Sequence, residues 1–162
     1  MGISLIKASM EDSKLIHEMQ AEAFKDLLDK YQDYETNPGA ELLERVELRM
    51  SVDVVDHYFI CLEDKELAIP KKIGSLRITR LDNDIINLGT TFILPKYEGK
   101  GYGKQAILKA EMLYPEARRW ELGTIKQEAK LRHFYESLGY EATGEETQIH
   151  DDMTIIGYSK NL

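Results

Sequence analysis

Three glycines at alternate positions, with two lysines among them, lie in the segment LPKYEGKGYGKQAI at 94–107. The glycines are Gly99, Gly101 and Gly103, and the lysines are Lys100 and Lys104. The first residues of a helix have free N–H groups and together carry about half a positive charge. Glycines before such a helix remove Cβ atoms, so an anion can approach the amides closely. The segment therefore predicts a cradle for a phosphate or pyrophosphate, and a tight strand-to-helix turn without a ligand is the alternative.

Two nucleotide-binding motifs compete for this segment. The P-loop requires a Gly-Lys-Ser/Thr triplet, which the chain lacks. The dinucleotide motif matches Gly101, Gly103 and Ala106, with Glu121 about 20 residues further on. That motif follows the first strand of a repeated βαβ array, whereas here three hairpin-linked strands are predicted first. The position of the glycines in the chain therefore argues against a dinucleotide-binding fold.

The cradle needs a strand before it and a helix after it, and the residue pattern supplies both. An apolar, β-branched run at 85–94 predicts the strand, and the helix at 101–113 stops before Pro115. The other predicted strands lie at 3–7, 57–63, 71–81 and 118–124, and two more are joined near 150–152. The other predicted helices are one opened by a Ser9–Asp12 capping box, one capped by Asn37 with Pro38 at its first position and running to about Met50, and one at 127–138.

This element order predicts the fold class. Hairpin-linked strands combined with strand–helix–strand crossovers indicate an α+β fold, with a mixed, mainly antiparallel central sheet flanked by helices. The length of 162 residues and a hydrophobic share of 43% suit one domain over 1–162 with a real core. We find no internal repeat and no linker rich in Pro, Gly or Ser.

Composition and charge exclude several classes of protein. No apolar run approaches the roughly 20 residues needed to span a bilayer, and the N-terminal residues do not resemble a secretory signal, so we expect a cytoplasmic protein without a membrane partner. A net charge of −8 argues against nucleic acid as a partner. It favours a cationic partner or substrate, or serves solubility alone. The single cysteine, Cys61, lies in an apolar run and reads as a buried structural thiol.

The glycine segment resembles the acyl-CoA-binding signature of the GNAT superfamily of N-acetyltransferases. That signature is Gln/Arg-x-x-Gly-x-Gly/Ala after a Val-x-Pro strand end, and here Glu98-Gly99-Lys100-Gly101-Tyr102-Gly103 follows Ile93-Leu94-Pro95. Glu98 departs from the usual Gln or Arg, which puts a side-chain phosphate contact at this position in doubt. The segment FYESLGY at 134–140 resembles a later motif of the same family. Both motifs occur in the family's order and separation, and the order of elements matches over nearly the whole chain.

The resemblance implies acetyl-CoA as cosubstrate and assigns residues to it. The strand before the loop splays from the next strand, and the gap takes the pantetheine arm. An Asn near the start of the later helix touches CoA in many relatives, and Glu128 is the residue nearest that position here. The residues implied in CoA binding are Phe92, Ile93, Leu94, Gly99, Lys100, Gly101, Tyr102, Gly103, Lys104 and Glu128.

The same resemblance implies the catalytic groups. Tyr135 matches the tyrosine that approaches the thioester sulfur, and its expected role is general acid to the leaving thiolate. Some relatives carry a Glu base on the strand before the loop, but Asn87 stands at that position here. Glu121, Asp33, Glu35 or a water chain remain as candidates for removing the proton from the amine.

The sequence thus predicts an N-acetyltransferase that moves an acetyl group from acetyl-CoA to a primary amine by direct transfer in a ternary complex. A small cationic amine is the expected acceptor, with the polar segment 31–37 near its pocket. A protein or peptide N-acetyltransferase and a non-catalytic acyl-CoA-binding module are the alternatives. The histidines lack metal-ligand spacing, so we expect no metal. A homodimer is left open.

Overall fold

The computed structural model describes residues 2–162 as seven strands and five α-helices. The strands are β1 (Ile3–Lys7), β2 (Val55–Leu62), β3 (Lys71–Leu81), β4 (Ile85–Ile93), β5 (Arg119–Ile125), β6 (Glu141–His150) and β7 (Met153–Asn161). The helices are α1 (Ser13–Ala23), α2 (Lys25–Tyr31), α3 (Leu43–Met50), α4 (Tyr102–Leu113) and α5 (Ala129–Ser137). Within residues 2–162, no helix is long and apolar enough to cross a membrane.

All seven strands form one sheet in the order β1-β2-β3-β4-β5-β7-β6. Neighbouring strands run antiparallel, with the exception of β4 and β5, which run parallel. The parallel pair is short: Ile85–Asn87 lies beside Arg119–Glu121, and beyond these residues the two strands diverge. The predicted mixed, mainly antiparallel sheet with flanking helices is confirmed, and the divergence leaves a gap in the middle of the sheet.

Apolar side chains cover both faces of the sheet. On one face, Trp120 and Leu76 are fully buried against Ile107 and Ala110 of α4. On the other face, Ile16 of α1 and Val46 of α3 pack with Phe59, Cys61 and Phe92. Because burial of each such side chain is worth about 1.5–3 kcal/mol, the two layers fix the position of β4 and of the glycine segment that follows it.

The predicted helix from Asn37 to Met50 is interrupted in the structure. Asn37 caps as expected, since its Oδ1 accepts a hydrogen bond from the Gly39 amide at 2.7 Å, but only a 3-10 turn at Pro38–Ala40 follows. α3 then begins at Leu43. Side chains of α1 occupy the carbonyls that a continuous helix would use: Gln20 Nε2 donates to the Pro38 carbonyl at 3.0 Å, and His17 Nε2 lies 2.8 Å from the Glu41 carbonyl. Tertiary hydrogen bonds therefore override the local helical pattern.

The first predicted helix is also divided. A 3-10 turn at Met10–Asp12 carries the predicted Ser9–Asp12 capping box, and Phe24, with a φ of −101° and a ψ of 7°, separates α1 from α2. The Phe24 ring packs edge-on against Phe92 of β4, with the ring centroids 5.9 Å apart. This contact draws the junction of the two helices toward the end of β4, at the gap in the sheet.

Candidate active site

A cleft of about 750 Å³ opens where β4 and β5 diverge. One wall comes from β4 and the glycine segment, and the other from β5 and α5. The junction of α1 and α2, the turn before α3, and the start of β7 also contribute to the lining. The predicted site residues that line the cleft are Phe92, Ile93, Gly99, Gly101, Tyr102, Gly103, Lys104 and Tyr135.

The glycine segment has the backbone conformation that its sequence predicts. Gly99 and Gly101 have φ angles of 75° and 81°, in the left-handed region that side chains with a Cβ rarely adopt. Gly101 precedes the first residue of α4, and the first helical bond of α4 runs from the Gln105 amide to the Gly101 carbonyl at 3.1 Å. The amides of Tyr102, Gly103 and Lys104 therefore have no partner within the helix, as an anion site at a helix N-terminus requires.

Only two of the three residues predicted to contact the pantetheine arm at the end of β4 line the cleft. Ile93 and Phe92 line the cleft, while Leu94 packs with the cluster around Val46 and donates its amide to the Ile73 carbonyl at 2.8 Å. Lys100 is exposed and lies outside the lining, whereas Lys104 is part of it. The glycine segment and two of the three β4 positions thus line the same cleft.

Tyr135 lies on α5 with its ring held between two other aromatic rings. The ring centroids lie 5.1 Å from Phe134 and 6.1 Å from Tyr140 in edge-on contacts. Burial raises the pKa of the Tyr135 phenol to about 12. Within residues 2–162, the Tyr135 hydroxyl has no hydrogen-bond partner, whereas the Tyr140 hydroxyl donates to Glu111 at 2.9 Å. The Tyr135 hydroxyl is therefore a protonated donor on a residue that lines the cleft.

Glu121 and Glu128 lie outside the cleft lining. Glu121 accepts a hydrogen bond from Arg119 Nε at 2.9 Å. Glu128 pairs with Lys30 Nζ at 2.6 Å and accepts a hydrogen bond from the Tyr31 hydroxyl. These two hydrogen bonds, that of Lys30 first, hold the pKa of Glu128 below its usual value. The structure therefore does not bring either carboxylate together with Tyr135 and the glycines.

The carboxylates of the 31–37 segment also point elsewhere. Asp33 is fully buried and accepts hydrogen bonds from the Thr36 hydroxyl and from the Glu35 and Thr36 amides. Burial opposes the charge, but these hydrogen bonds outweigh it and the pKa of Asp33 falls below its usual value. Glu35 is exposed. Among residues 2–162, Glu98, beside the glycines, is the only carboxylate that lines the cleft.

The cleft lining also contains residues to which the sequence assigned no functional role. They are Ala23, Phe24, Leu27, Arg77, Met153 and Ile155, together with Asn37, Pro38 and Asn87, whose positions had been noted for other reasons, and Thr36 of the segment 31–37 that was expected near the acceptor pocket. They come from α1, α2, β3, β4, β7 and the turn before α3, so no local motif marks them all. One signal was present for Arg77, a charged residue in the middle of the alternating apolar strand IGSLRIT.

Cys61 is confirmed as a buried free thiol within the apolar cluster of α1 and α3. Burial raises the pKa of this thiol above its ordinary value, so the protonated form is favoured. In the part of the chain from residue 2 onward, no group of three or more His, Cys, Asp and Glu side chains could hold a metal ion.

Solved structures of similar fold cover almost the whole chain. An acetyltransferase from Thermus thermophilus superposes with a TM-score of 0.75 at 15% identity, over 100% of this chain and 98% of that one. A PaiA N-acetyltransferase from Thermoplasma acidophilum in complex with coenzyme A gives 0.69 at 19% identity, over 100% of each chain. A spermidine N-acetyltransferase from Vibrio cholerae in complex with CoA and spermine gives 0.74 at 17% identity, over 98% of this chain and 95% of that one. At such identities the likeness shows the fold alone.

Sequence comparison supplies the family. No curated protein matches the chain significantly in sequence, but the model of the acetyltransferase (GNAT) family matches residues 17–140. This range includes β4, the glycine segment, α4, β5 and α5, and so the elements that form both walls of the cleft. The resemblance read from the two sequence motifs is thereby confirmed, and the chain belongs to the GNAT family of acetyltransferases.

Proposed function

We propose that this acetyltransferase uses the cleft to transfer the acetyl group of acetyl-CoA directly to the primary amine of a small molecule. One observation carries the proposal: the gap between β4 and β5 has an anion cradle at one end and the Tyr135 hydroxyl on its wall. The cleft is also lined by residues of α1, α2 and the turn before α3, and its volume of about 750 Å³ offers room for an acceptor beside the CoA arm.

The glycine segment binds the pyrophosphate of CoA in this proposal. The amides of Tyr102, Gly103 and Lys104 are free within α4, and the Lys104 side chain adds a positive charge at the same end of the cleft. Phe92 and Ile93 line the path along β4 that the pantetheine arm would follow. Lys100, Leu94 and Glu128 have no comparable support, since they lie outside the lining.

Tyr135 acts as the general acid that stabilises the departing thiolate. A phenol with a pKa of about 12 is protonated at every physiological pH, because burial disfavours the phenolate, and its ability to donate is lost only as the pH rises through that value. Since the hydroxyl has no partner among residues 2–162, donation to sulfur breaks no hydrogen bond within that part of the protein.

The proton of the attacking amine leaves to solvent in this mechanism. Glu121, Asp33 and Glu35, the three candidate bases, do not line the cleft, and no histidine of residues 2–162 does. Asn87 occupies the β4 position where a base was considered, and an amide side chain cannot accept the proton as a base. Alkylamines are mostly protonated at pH 7, so the neutral fraction of the acceptor limits the rate.

The pH dependence of the reaction tests this assignment. We expect kcat/KM to rise about tenfold per pH unit below the pKa of the acceptor amine and then to level off, and Tyr135 should cause no fall below pH 11, because it stays protonated. The measurement is the pH profile of kcat/KM for two acceptors whose amines differ in basicity. The point of inflection should move with the acceptor. An inflection at one lower pH for both acceptors would identify a base on the protein.

The turn before α3 and strand β7 both contribute to the lining of the cleft, and we take these additional walls to favour a small acceptor over a polypeptide. They supply Thr36, Asn37 and Pro38 from the turn and Met153 and Ile155 from β7. A net charge of −8 and the fold shared with a spermidine N-acetyltransferase support a cationic amine, but the acids of the 31–37 segment lie outside the cleft lining. The class of small acceptor is therefore better judged from the side chains that do line it.

Direct transfer without an acetylated protein is supported by the position of Cys61. This thiol is fully buried and lies outside the cleft lining, so it cannot accept the acetyl group. The test is a set of initial rates measured while acetyl-CoA and the acceptor are both varied. Direct transfer in a ternary complex predicts double-reciprocal lines that intersect, whereas parallel lines would indicate an acetylated intermediate and contradict the proposal.

A further inference from the structure

Arg77 is a half-buried cation in the wall of the cleft, and the neighbouring strand is shaped around it. The register between β3 and β4 shifts here, so that Gly89 and Thr90 together lie opposite the single residue Arg77. A Cβ atom on Gly89 would lie 2.5 Å from Arg77 Nε and 2.8 Å from its Cζ. The bulge and the missing side chain thus make the space in which the guanidinium lies against the β4 backbone.

No counter-ion accompanies this guanidinium. None of the ion pairs within residues 2–162 includes Arg77, and no hydrogen bond from its side chain to another residue of that range is present. The nearby cation Arg49 is already paired with both carboxylate oxygens of Glu41. His57, opposite Arg77 on β2, is neutral at pH 7, because burial, followed by repulsion from Arg77 and Arg49, lowers its pKa to about 4.

An unpaired, half-buried charge carries a desolvation cost, so its retention needs a reason. Burial and repulsion from Arg49 lower the pKa of Arg77 to about 10, which still leaves the side chain charged at neutral pH. An anion bound to the guanidinium would offset this cost. A guanidinium binds one carboxylate with two parallel hydrogen bonds, which gives both affinity and orientation.

We infer that the acceptor is a small amine that also carries a carboxylate, and that Arg77 binds this carboxylate while the amine faces the thioester. The inference rests on the proposed function, since it names the acceptor class of the same cleft. The other cations that line the cleft within residues 2–162 are Lys104, beside the glycines, and the exposed Lys130 of α5, so a single guanidinium on β3 suits a single negative charge. Apolar side chains line the same end and suit an apolar body, as in an amino acid with an apolar side chain: Phe24, Leu27, Met153 and Ile155.

Matched acceptor pairs test the inference. Leucine, methionine and phenylalanine are compared with their carboxamides and with spermidine, by following CoA-thiol release from acetyl-CoA at pH 7.5. The carboxamides have the less basic amines and offer more neutral nucleophile, so amine basicity works against the expected result. We expect kcat/KM for at least one amino acid to exceed that of its carboxamide and of spermidine at least tenfold.

The variant Arg77→Gln should abolish this preference and leave the affinity for CoA, measured by calorimetry, within twofold of the parent. It should also leave the melting temperature unchanged or raise it, because the variant removes an unpaired buried charge rather than an ion pair. Arg45→Gln is the control: it removes the same charge from the exposed surface of α3, and the preference for the carboxylate should persist.

Several results would overturn the inference. They are faster turnover of the carboxamides or of spermidine, no turnover of any of the three amino acids, a preference that survives in Arg77→Gln, and a large loss of CoA affinity in that variant. Turnover of spermidine alone would remove the carboxylate acceptor and leave the acetyltransferase proposal standing. Failure of the parent protein to bind CoA would instead contradict the proposed function itself.

Discussion

Replacement of Tyr135 by Phe should lower kcat by between about tenfold and several-hundredfold and leave the affinity for CoA nearly unchanged. Loss of a general acid typically costs about 10²- to 10⁴-fold in rate, and the lower end is expected because a thiolate is a better leaving group than an alkoxide. The effect falls on kcat because the hydroxyl interacts with charge that develops only in the transition state. Folding should be preserved, since the hydroxyl has no partner within residues 2–162 and the ring contacts remain.

A neighbouring tyrosine provides the matched control. The Tyr140 hydroxyl is buried and donates to Glu111 at 2.9 Å, away from the cleft lining. Tyr140→Phe should therefore lower the melting temperature, because Glu111 loses a buried donor, with little change in kcat. Stopped or continuous assays of kcat and thermal melts on both variants separate the two roles. A kcat of Tyr135→Phe within twofold of the parent would remove Tyr135 from the catalytic assignment.

The second large effect is expected at the glycine segment. Gly101→Val and Gly103→Val should each weaken CoA binding at least tenfold, or about 1.4 kcal/mol, because a branched side chain would stand where the pyrophosphate approaches the amides. The two positions are not equivalent in the free protein. Gly101 has a φ of 81°, so any side chain there also strains the turn. A Cβ on Gly103 would make only ordinary contacts, at 3.4 Å from Phe134 and 3.6 Å from Ile93.

Gly103→Ala is accordingly the cleaner variant, since it adds one methyl group without backbone strain. Gly2→Ala is its control, because a Cβ there would meet no atom within 4 Å. Calorimetric titration with CoA should show weaker binding for Gly103→Ala and Gly103→Val at a melting temperature no lower than that of the parent, and parent-like binding for the control. Parent-like CoA binding by folded Gly101→Val and Gly103→Val would mean that the cradle is assigned to the wrong segment.

The sequence predicted the elements whose reasons are local. The glycine segment, the start of α4 and the end of α5 at Gly139 each depend on backbone conformations that only certain residues adopt, and Gly139 indeed has a φ of 95°. The hairpin strands were also predicted, because the pattern of apolar residues that indicates a strand is local in the sequence. The continuous helix expected from Asn37 to Met50 is interrupted in the structure, because Gln20 and His17, distant in sequence, bind the carbonyls that would continue it.

The two ends of the cleft also differed in how well the sequence predicted their residues. The CoA end is one contiguous segment, so its chemistry could be read from residue spacing. The acceptor end combines side chains of α1, α2, β3 and β7, which approach one another only in the folded chain. Net charge and the acids at 33 and 35 suggested a cationic acceptor, because the positions of these acids relative to the cleft could not be known from the sequence. A cytoplasmic location, a homodimer and roles for Glu121 and Glu128 stay predictions.

The most direct test of the account is amine-dependent release of CoA thiol from acetyl-CoA, with mass spectrometry of the acceptor. The acceptors are amino acids and their carboxamides, polyamines, aminoglycosides and short peptides. We expect release above the rate of hydrolysis with at least one small amine, an equal amount of its N-acetyl derivative, and strong reduction of both in Tyr135→Phe. CoA binding by the parent protein without acetylation of any of these amines would contradict the account and indicate an acyl-CoA-binding module without catalytic activity.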